Sequence, residues 1–533
     1  MKKILVSFLI LLCSQCFAQE DAWVYFTDKP DAAYYLANPL EMLTQRALDR
    51  RSAQWIALDI GDVPITSAYL SGVTSSQGIT VMARSKWMNA VHVRGTVAGI
   101  NSLAQLPYVS SIDFADASLN TGKGVRPVIT KPTQRVATAL ASYNYGSSST
   151  QITMLNGQTL HQQDYTGAGK VIAVMDNGFP GVNTTQPFQR LNDNNLILGG
   201  YNYVSGNTDV YTGGNHGTMV LSSMGGYLEG QLVGTAPDAH YYLFVTEDTA
   251  GENPVEESYW VQAAEAADSL GVDVINTSLG YFTYDKPSYS YTYPDLDGQT
   301  SFISRGANIA FSKGMVVIVA AGNSGATVNP FISVPADAPG VLTIGAVNSS
   351  EVRASFSSYG PTSDGRVKPD VMAMGVSAVV ATPTGSITTV NGTSLSSPII
   401  CGLAACLWQA LPQLTNSQLV QLIKQSADRY INPDNFYGYG IPDFAQALLR
   451  TDEPQLQGEK VFLYPNPVNN YLKIALPEDD SQATITIYNS IGQRVLYTTF
   501  SSNEAIDVSQ LPQGVYGYTV EGGVNTKGKF VKD

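Results

Sequence analysis

Cysteine, histidine and positive charge are all scarce in this sequence of 533 residues. It contains 4 cysteines and 4 histidines, and its 30 Lys and Arg residues stand against 44 Asp and Glu residues, for a net charge of -14. Binding to DNA or RNA depends on clustered basic side chains that displace counterions from phosphates, so this composition excludes nucleic acid as a partner. We interpret the acidity as a solubility property of an exported protein.

Apolar runs long enough to cross a membrane are also missing. A run from Ile4 to Leu12 follows Lys2 and Lys3 and leads to the small-x-small site Cys16-Phe17-Ala18. This order is typical of a secretory signal peptide, and the run is shorter than the ~20 apolar residues of a membrane span. The sequence therefore predicts a signal peptide at residues 1–18 and no transmembrane segment.

Removal of that signal would leave two cysteines, Cys401 and Cys406. They lie five residues apart on a predicted helix, where their Cβ atoms point to different faces and are too far apart for a disulfide. We expect two small core residues and no disulfide between them.

Changes in composition and in hydrophobic pattern divide the rest of the chain. Residues 19–145 follow the order strand, helix, strand, strand, helix, strand, with the first helix over Leu40–Arg51, and end in a connector; this predicts a small α+β domain. Residues 146–450 alternate short hydrophobic runs with helical patterns, which is typical of a doubly wound, mostly parallel α/β sheet. A charged linker at 451–460 precedes an alternating pattern over 461–533 that predicts an all-β sandwich.

The middle region contains five predicted buried strands, which are Val171–Met175, Ala239–Val245, Val272–Ile275, Met315–Ala321 and Val341–Val347. Chemistry in such sheets collects at the carboxyl ends of the strands, so the polar residues that follow each run are the candidates. Asp176 follows the first strand, and Asn323 follows the fourth after Gly322. An isolated Asp before Asn-Gly is usually a turn residue, so Asp176 gains weight only from the residues that accompany it.

His216 stands at the head of a predicted helix in the setting Asn-His-Gly-Thr, where glycine allows a close approach. Ser394 lies just before the apolar helix Ile399–Leu411, with Pro398 in its first turn, where a missing N–H group is tolerated. Unpaired amides and the positive end of the helix dipole would stabilise negative charge on an attacked carbonyl there. Taken alone, Ser394 is more simply a helix cap.

Together these residues form a chemical set. A serine is a weak nucleophile until a base removes its proton, and the base needs a carboxylate that orients it and stabilises its charged form. Asp176, His216 and Ser394 follow one of the known chain orders for this arrangement. The Asn323 amide is placed where it could donate to an oxyanion.

On these grounds residues 146–448 resemble the subtilisin family of serine peptidases. The resemblance implies a secreted serine endopeptidase that cleaves protein or peptide substrates through an acyl-enzyme. It implies that Ser394 attacks, that His216 acts as base and then acid, and that Asp176 orients His216. Asn323 would join the Ser394 amide in the oxyanion hole. The matching blocks are Val174–Gly178, His216–Thr218, Ala320–Asn323, Gly392–Ser394 and Ser397-Pro398.

The family also implies where substrate lies. Its backbone would run along Ser278-Leu279-Gly280, with the primary specificity pocket between that segment and Ala320-Ala321-Gly322. The neighbouring Ser324 is uncharged, which favours apolar or aromatic substrate side chains. We interpret Tyr281–Tyr293 as a surface loop, with an outer substrate subsite as the alternative.

Metal requirements are weakly indicated. The family resemblance implies that no cofactor is required for the chemistry and that structural calcium is an option. Asp295, Asp297 and Gly298 faintly resemble a calcium loop, but the full ligand pattern is missing. We therefore assign no metal ligand.

The flanking regions carry resemblances of their own. Residues 19–145 are similar to subtilisin propeptides, which assist folding and then occupy the cleft, so the chain would be a zymogen that cuts itself between Ala137 and Ser149. An independent binding domain is the alternative. The tail resembles the type IX secretion sorting domain through Tyr464-Pro465-Asn466-Pro467, Gly514-Val515-Tyr516 and the basic end Lys529–Lys532.

That resemblance implies contact with the secretion machinery and a protein that is secreted or attached to the cell surface. A substrate-binding sandwich is the alternative for the tail.

The active-site set has two alternative interpretations. Sedolisin-like peptidases share the Gly-Thr-Ser motif but use Glu and Asp, so His216 and Asn323 argue against them. A catalytically inactive surface-binding protein on the same fold is a further alternative, although all four catalytic groups are present. Asn177 and Met219 depart from the residues commonest at their positions, and neither departure removes a catalytic atom.

Overall fold

The chain forms two compact units that divide after Arg450. The predicted signal peptide, residues 137–142 of the predicted maturation region and the predicted linker lie outside the described residues. The computed structural model describes residues 19–120, 143–449, 462–464, 468, 470–475, 482–489, 493–501, 504–521 and 526–532.

The N-terminal part of the first unit is an antiparallel sheet with short helices. Its elements are β1 (Gln19–Phe26), α1 (Ala32–Ala37), α2 (Gln45–Ser52), α3 (Ser67–Thr74), β2 (Ile79–Ser85), β3 (Ala90–Thr96), α4 (Val97–Ser102) and β4 (Val109–Phe114). The strands lie in the order β2-β3-β1-β4, close to their predicted positions. The first predicted helix begins at Gln45 because the Thr44 side chain accepts from the Ala47 N–H group at 3.3 Å and caps it there.

The middle of the chain is built on a seven-stranded sheet in the order β13-β12-β11-β10-β5-β9-β6, in which neighbouring strands are parallel. Its elements are α5 (Ser149–Thr153), α6 (Gln158–His161), β5 (Val171–Asp176), α7 (Gln189–Asp193), β6 (Ile197–Asn202), α8 (His216–Gly225), β7 (Tyr227–Leu228), β8 (Leu232–Val233), β9 (His240–Val245), α9 (Val255–Leu270), β10 (Val274–Thr277), α10 (Phe302–Ser312), β11 (Val316–Ala320), β12 (Val341–Val347), β13 (Val371–Met374), β14 (Ala378–Ala381), β15 (Ile387–Val390), α11 (Thr393–Ala410), α12 (Asn416–Gln425) and α13 (Phe444–Leu449).

Strand β5 shows how the sheet is covered on both faces. Ile172 and Val174 belong to the hydrophobic core that α8 and α11 complete, whereas Val171, Ala173 and Met175 belong to the core that α9 and α10 complete. Successive side chains of a strand point to opposite faces, so a strand buried on both faces is apolar throughout. The predicted doubly wound α/β fold is confirmed.

Two details of the predicted strands differ. Strand β10 begins at Val274, two residues after the predicted start, and the preceding Asp273 carboxylate accepts from the Val171 N–H group at 2.8 Å. Strands β6 and β13 were not predicted. Gly199 and Gly200 interrupt the apolar pattern of β6, and β13 has only four residues.

The C-terminal unit is all-β, as predicted. Leu472 and Ile474 of one sheet share a core with Ile485 and Phe530 of the other, which makes the unit a sandwich. The two sheets have the strand orders β16-β17-β20 and β19-β18-β21-β22. The strands are β16 (Phe462–Tyr464), β17 (Tyr471–Ala475), β18 (Ala483–Tyr488), β19 (Arg494–Phe500), β20 (Ala505–Asp507), β21 (Gly514–Glu521) and β22 (Thr526–Lys532).

Cys401 and Cys406 are buried free thiols on α11, as predicted. Within the described residues, no helix combines the length and apolar character needed to cross a bilayer.

Candidate active site

Asp176 and His216 meet at the carboxyl edge of the parallel sheet. Asp176 is the last residue of β5, and His216 is the first residue of α8. His216 Nδ1 lies 2.9 and 3.0 Å from the two carboxylate oxygens of Asp176. The charge of Asp176 raises the pKa of His216, although burial opposes it. A proton held on Nδ1 leaves Nε2 free to accept another.

A glycine makes this approach feasible. A Cβ atom at Gly217 would lie 2.4 Å from the carbonyl oxygen of Gly178 and 2.9 Å from the Cβ atom of Asp176. Any larger residue at Gly217 would push α8 away from the end of β5. The close approach expected from the Asn-His-Gly-Thr setting is therefore confirmed.

Ser394 is the second residue of α11, so the helix begins well before the predicted start at Ile399. The prediction that Pro398 occupies the first turn is therefore wrong, because this proline lies inside the helix. Pro398 has no N–H group to donate to the Ser394 carbonyl four residues earlier. Ser278 Oγ donates to that carbonyl instead, at 2.8 Å. A side chain from the sheet thus holds the backbone of the candidate nucleophile.

Asn276 connects this anchor to the helix. Its Nδ2 donates to Ser278 Oγ at 3.0 Å, and its Oδ1 accepts from Ser397 Oγ at 3.1 Å. All three side chains are buried. Sequence reasoning missed Asn276, although a polar residue inside the apolar strand Val274–Thr277 is an unusual signal that could have found it.

The two halves of the candidate site lie side by side. Thr277, the last residue of β10, pairs with Met175 of β5. Asp176, which holds His216, therefore ends one strand, and Ser278, which holds Ser394, follows the end of the adjacent strand. The hydrogen bonds among the described residues do not include one between His216 and Ser394 Oγ. In unliganded sites such a bond is often long and shortens when substrate binds.

Asn323 lies in an exposed loop after β11, and Thr393 sets its orientation. Asn323 Oδ1 accepts from the Thr393 N–H group at 2.9 Å and from Thr393 Oγ1 at 3.1 Å. Thr393 Oγ1 in turn accepts from the Gly322 N–H group at 3.2 Å. Because two donors occupy Oδ1, the Nδ2 group of Asn323 is the one left to donate. Sequence reasoning quoted Thr393 only as part of a motif.

The two predicted pocket walls approach one residue that sequence reasoning missed, Ser333. A Cβ atom at Gly280 would lie 2.3 Å from Ser333 Oγ, and one at Gly322 would lie 3.2 Å from the same atom. A Cβ atom at Gly322 would also lie 3.0 Å from Ser358 Oγ. Glycines in both walls thus leave room for serine hydroxyls, and neither serine brings a charge.

The sequence is similar to those of known proteins. The model described as "Subtilase family" matches residues 167–440, which is half of the chain. The chain belongs to the subtilase family. Subtilisin NAT from Bacillus subtilis subsp. natto is 33% identical over 54% of this chain and 68% of that protein. Subtilisin from Bacillus pumilus is 32% identical over 54% of this chain and 94% of that protein. This subtilase is a serine endopeptidase.

Both flanking regions of the subtilase match models as well. Residues 21–131 match the "Peptidase S8 propeptide domain, Bacteroidota", and residues 462–533 match the "Secretion system C-terminal sorting domain". The subtilase is therefore made with a propeptide, and its tail indicates export, with release or attachment at the cell surface. Both resemblances stated from the sequence are confirmed.

A second carboxylate, Glu247, lies near the Asp–His pair of this subtilase. Thr246 N–H donates to the Asp176 carbonyl at 3.0 Å, and Glu247 follows it. The Glu247 carboxylate accepts from Tyr281 Oη at 2.7 and 2.9 Å and from Thr246 Oγ1 at 2.9 Å. Burial raises the pKa of Glu247 to about 8. Sequence reasoning did not single out Glu247.

The faint calcium pattern of the subtilase is used for local turns. Asp295 accepts from the Thr292 N–H group at 2.8 Å, and Asp297 accepts from the Thr300 N–H group at 2.7 Å. The Gly298 N–H group donates to Asp337 at 2.6 Å. Across the part of the chain that the structure describes, no three His, Cys, Asp or Glu side chains are grouped to hold a metal ion.

The segment Tyr281–Tyr293, interpreted above as a surface loop, contributes to the core of the subtilase. Tyr284 and Tyr289 are buried. The hydroxyls of Tyr284 and Tyr291 each donate to the buried Glu257 carboxylate at 2.6 Å. The segment is a loop with exposed residues, as interpreted from the sequence, but several of its tyrosines are buried. They face inward because a buried carboxylate on α9 needs donors and this segment supplies them.

Proposed function

We propose that this subtilase hydrolyses peptide bonds through an acyl-enzyme formed on Ser394. His216 Nε2 takes the hydroxyl proton as Ser394 Oγ attacks the carbonyl carbon, and returns it to the leaving amine. A water molecule then repeats the sequence and releases the acid. Asp176 orients His216 and stabilises its charged form. The observation that carries the proposal is the hydrogen bond between Asp176 and His216 at the end of β5. The adjacent strand β10 leads to Ser278, which holds the backbone of Ser394.

Two donors are assigned to the oxyanion. The Ser394 N–H group lies in the first turn of α11, where amides have no partner within the helix and the dipole is positive. Asn323 Nδ2 is the second donor, because Thr393 occupies its oxygen. Both groups are oriented before substrate arrives, which is the condition for strong stabilisation of developing charge.

The substrate is a protein or peptide with an apolar or aromatic side chain in the primary pocket. We assign its backbone to Ser278-Leu279-Gly280 and the opposite wall to Ala320-Ala321-Gly322. The uncharged Ser333 and Ser358 beside these walls support this preference.

We also propose the domain bounds of the chain and the steps by which it is processed. A signal peptide at 1–18 is removed, a propeptide domain and connector occupy 19–145, the peptidase domain occupies 146–450, and a linker at 451–460 leads to the sorting domain at 461–533. The chain is a zymogen that cuts its own connector. The sorting domain contacts the secretion machinery.

The decisive experiment follows self-cleavage of the chain expressed without residues 1–18. Ser394→Ala is expected to stay uncut and to hydrolyse peptides about 10⁶-fold more slowly, the magnitude known from subtilisin itself. Ser396→Ala is the matched control, because its buried hydroxyl on the same helix has no hydrogen-bond partner among the described residues. Unchanged processing of Ser394→Ala would refute the assignment.

A further inference from the structure

Asn276 is a polar residue on an apolar face of the parallel sheet. In register it lies between Val174 of β5 and Ile318 of β11, and Val274 precedes it by two residues on the same face of β10. These three neighbours belong to the hydrophobic core that α8 and α11 complete. An amide among such residues costs free energy unless it is hydrogen-bonded, so its partners indicate what it does.

The amide belongs to a chain of hydrogen bonds that begins and ends on α11. Ser397 Oγ donates to Asn276 Oδ1 at 3.1 Å, and Asn276 Nδ2 donates to Ser278 Oγ at 3.0 Å. Ser278 Oγ then donates to the Ser394 carbonyl at 2.8 Å. Asn276, Ser278 and Ser397 are all buried. In such a place hydrogen bonds are stronger than in water, and neighbouring ones polarise each other.

The two ends of the amide give this chain its direction. Oδ1 can only accept and Nδ2 can only donate, whereas a serine hydroxyl can do both. Because Nδ2 faces Ser278, the Ser278 proton is not given to Asn276 and is given to the Ser394 carbonyl. An amide turned end for end would offer Ser278 an acceptor and compete for that proton. Ser397 opposes this turn, because its hydroxyl donates to Oδ1.

The Ser394 backbone needs this contact because it carries two groups of the proposed mechanism, the nucleophile and an oxyanion donor. On one side of it, Asn323 Oδ1 accepts from the Thr393 N–H group at 2.9 Å. On the other side, Ser278 replaces the N–H group that Pro398 lacks. A displacement of about 1 Å at a reacting group can lower turnover by about 10²-fold.

We propose that Asn276 is a positioning residue for peptide hydrolysis, because its fixed amide directs the Ser278 proton to the Ser394 carbonyl and thereby holds the nucleophile in place. Its buried side chain does not reach the cleft and acts through Ser278. This role rests on the proposed function of Ser394. The two are separable, because loss of Asn276 lowers the turnover of a working enzyme, whereas loss of Ser394 removes the nucleophile.

The first test is a double-mutant cycle between Asn276 and Pro398, measured by peptide hydrolysis. Asn276→Leu keeps the approximate size of the side chain and removes its polar ends. It should lower kcat by about tenfold, as for one lost hydrogen bond, with KM nearly constant. Pro398→Ala adds an N–H group that can donate to the Ser394 carbonyl. In the Pro398→Ala background, Asn276→Leu should lower kcat by less than about twofold.

The cycle separates positioning from stability. Asn276→Leu also leaves the buried Ser397 hydroxyl without its acceptor, so the melting temperature should fall in both backgrounds, whereas kcat should recover with Pro398→Ala. Rates are divided by the concentration of reactive serine, titrated with a fluorophosphonate, so that incomplete processing is not counted as lost turnover.

An equal loss of kcat in the two backgrounds, or an unchanged kcat in Asn276→Leu, would overturn the role of Asn276. A parent enzyme that hydrolyses no peptide would refute the proposed function instead.

A milder pair of variants covers the case in which Asn276→Leu does not fold. Ser397→Ala keeps Asn276 and removes the donor that fixes its amide, so kcat should fall by about threefold. Ser396→Ala is the matched control and should equal the parent, because this neighbouring buried hydroxyl has no hydrogen-bond partner among the described residues. Equal kcat for the two serine variants would contradict the direction assigned to the amide.

The pH profile of Asn276→Asp provides a readout that a merely structural role would not give. A neutral carboxyl can accept from Ser397 and donate to Ser278, as the amide does. An ionised carboxylate can only accept, and it would draw the Ser278 proton away from Ser394. Burial raises the pKa of such a carboxyl, which brings its titration towards the pH range of the assay.

The measured quantity is the ratio of kcat between Asn276→Asp and the parent, in which the titration of His216 cancels. This ratio should fall by about 10²-fold as pH rises and the carboxyl ionises. A ratio that is the same at every pH would overturn the proposal.

Discussion

Polar side chains at the two ends of strands β5, β10 and β11 differ in exposure and in hydrogen bonding. At the carboxyl edge, the His216 side chain is 32% exposed, and the Nδ2 group of Asn323 has no hydrogen-bond partner among the described residues. At the amino edge, Arg51, Asp62 and Asp268 are at most 1% exposed and bind one another. Catalysis needs oriented groups that can still form hydrogen bonds with substrate. Contact between two domains needs buried groups whose hydrogen bonds are all formed. A substitution should therefore affect one edge and spare the other.

The largest effect after loss of Ser394 is expected for Asp176→Asn. An asparagine cannot hold His216 in the tautomer that leaves Nε2 as the acceptor, and kcat/KM should fall by about 10⁴-fold. A loss below tenfold in peptide hydrolysis would contradict the role of Asp176.

Asn323→Ala should lower kcat by about 10² to 10³, the magnitude known from subtilisin itself, with KM nearly constant. Thr393→Val is the graded companion, because the Thr393 N–H group still holds Asn323 Oδ1 after the hydroxyl is lost. Its kcat should fall by about threefold to tenfold, as for one lost hydrogen bond. An increase in KM with unchanged kcat in Asn323→Ala would mean that the amide binds ground-state substrate.

Acid should disable the two edges at different pH. His216 must be neutral to act as a base, and its raised pKa means that hydrolysis is lost as pH falls through that pKa. Burial raises the pKa of Asp62, but the hydrogen bond from Arg51 and the charge of Lys313 outweigh it and lower the pKa to about 2 from 3.8.

The stabilisation from Asp62 is therefore complete above its unfolded pKa and is lost as pH falls through about 2. Peptide hydrolysis and the near-UV circular dichroism of the full chain, measured across an acid series, should show activity lost first and the folded structure later. Loss of the folded signal at a pH where hydrolysis is still complete would contradict the comparison.

The smallest effect is expected for Glu247→Gln. Glu247 is uncharged below its raised pKa of about 8, so the variant should match the parent there. Above that pH the ionised carboxylate stabilises the charged His216 that forms in the transition state, so kcat/KM of the parent should rise further while the variant stays level. The pH profile of kcat/KM measures the difference, and identical alkaline profiles would remove Glu247 from the site.

The carboxyl edge of the sheet could be predicted from the sequence, because a polar residue after an apolar run marks the end of a buried parallel strand, as at Asp176 and Asn323. The predicted start of α11 is too late because a proline favours the first turn of a helix, and only the folded chain brings Ser278 to the carbonyl that Pro398 leaves without a donor. The ion pairs at the amino edge could not be predicted, because Arg50 and Asp268 are 218 residues apart and no local pattern relates them. Partners across such a gap become visible only when the chain is folded.

Pro398 affects how the rate of hydrolysis would depend on the fit of the substrate side chain. Because the helix supplies no donor to the Ser394 carbonyl, the position of that backbone depends on Ser278, which begins the wall assigned to substrate. A side chain that fits the pocket badly and displaces this wall would shift the reacting serine with it. Selectivity would then be expressed in turnover as well as in affinity, so that an ill-fitting peptide is held but cut slowly.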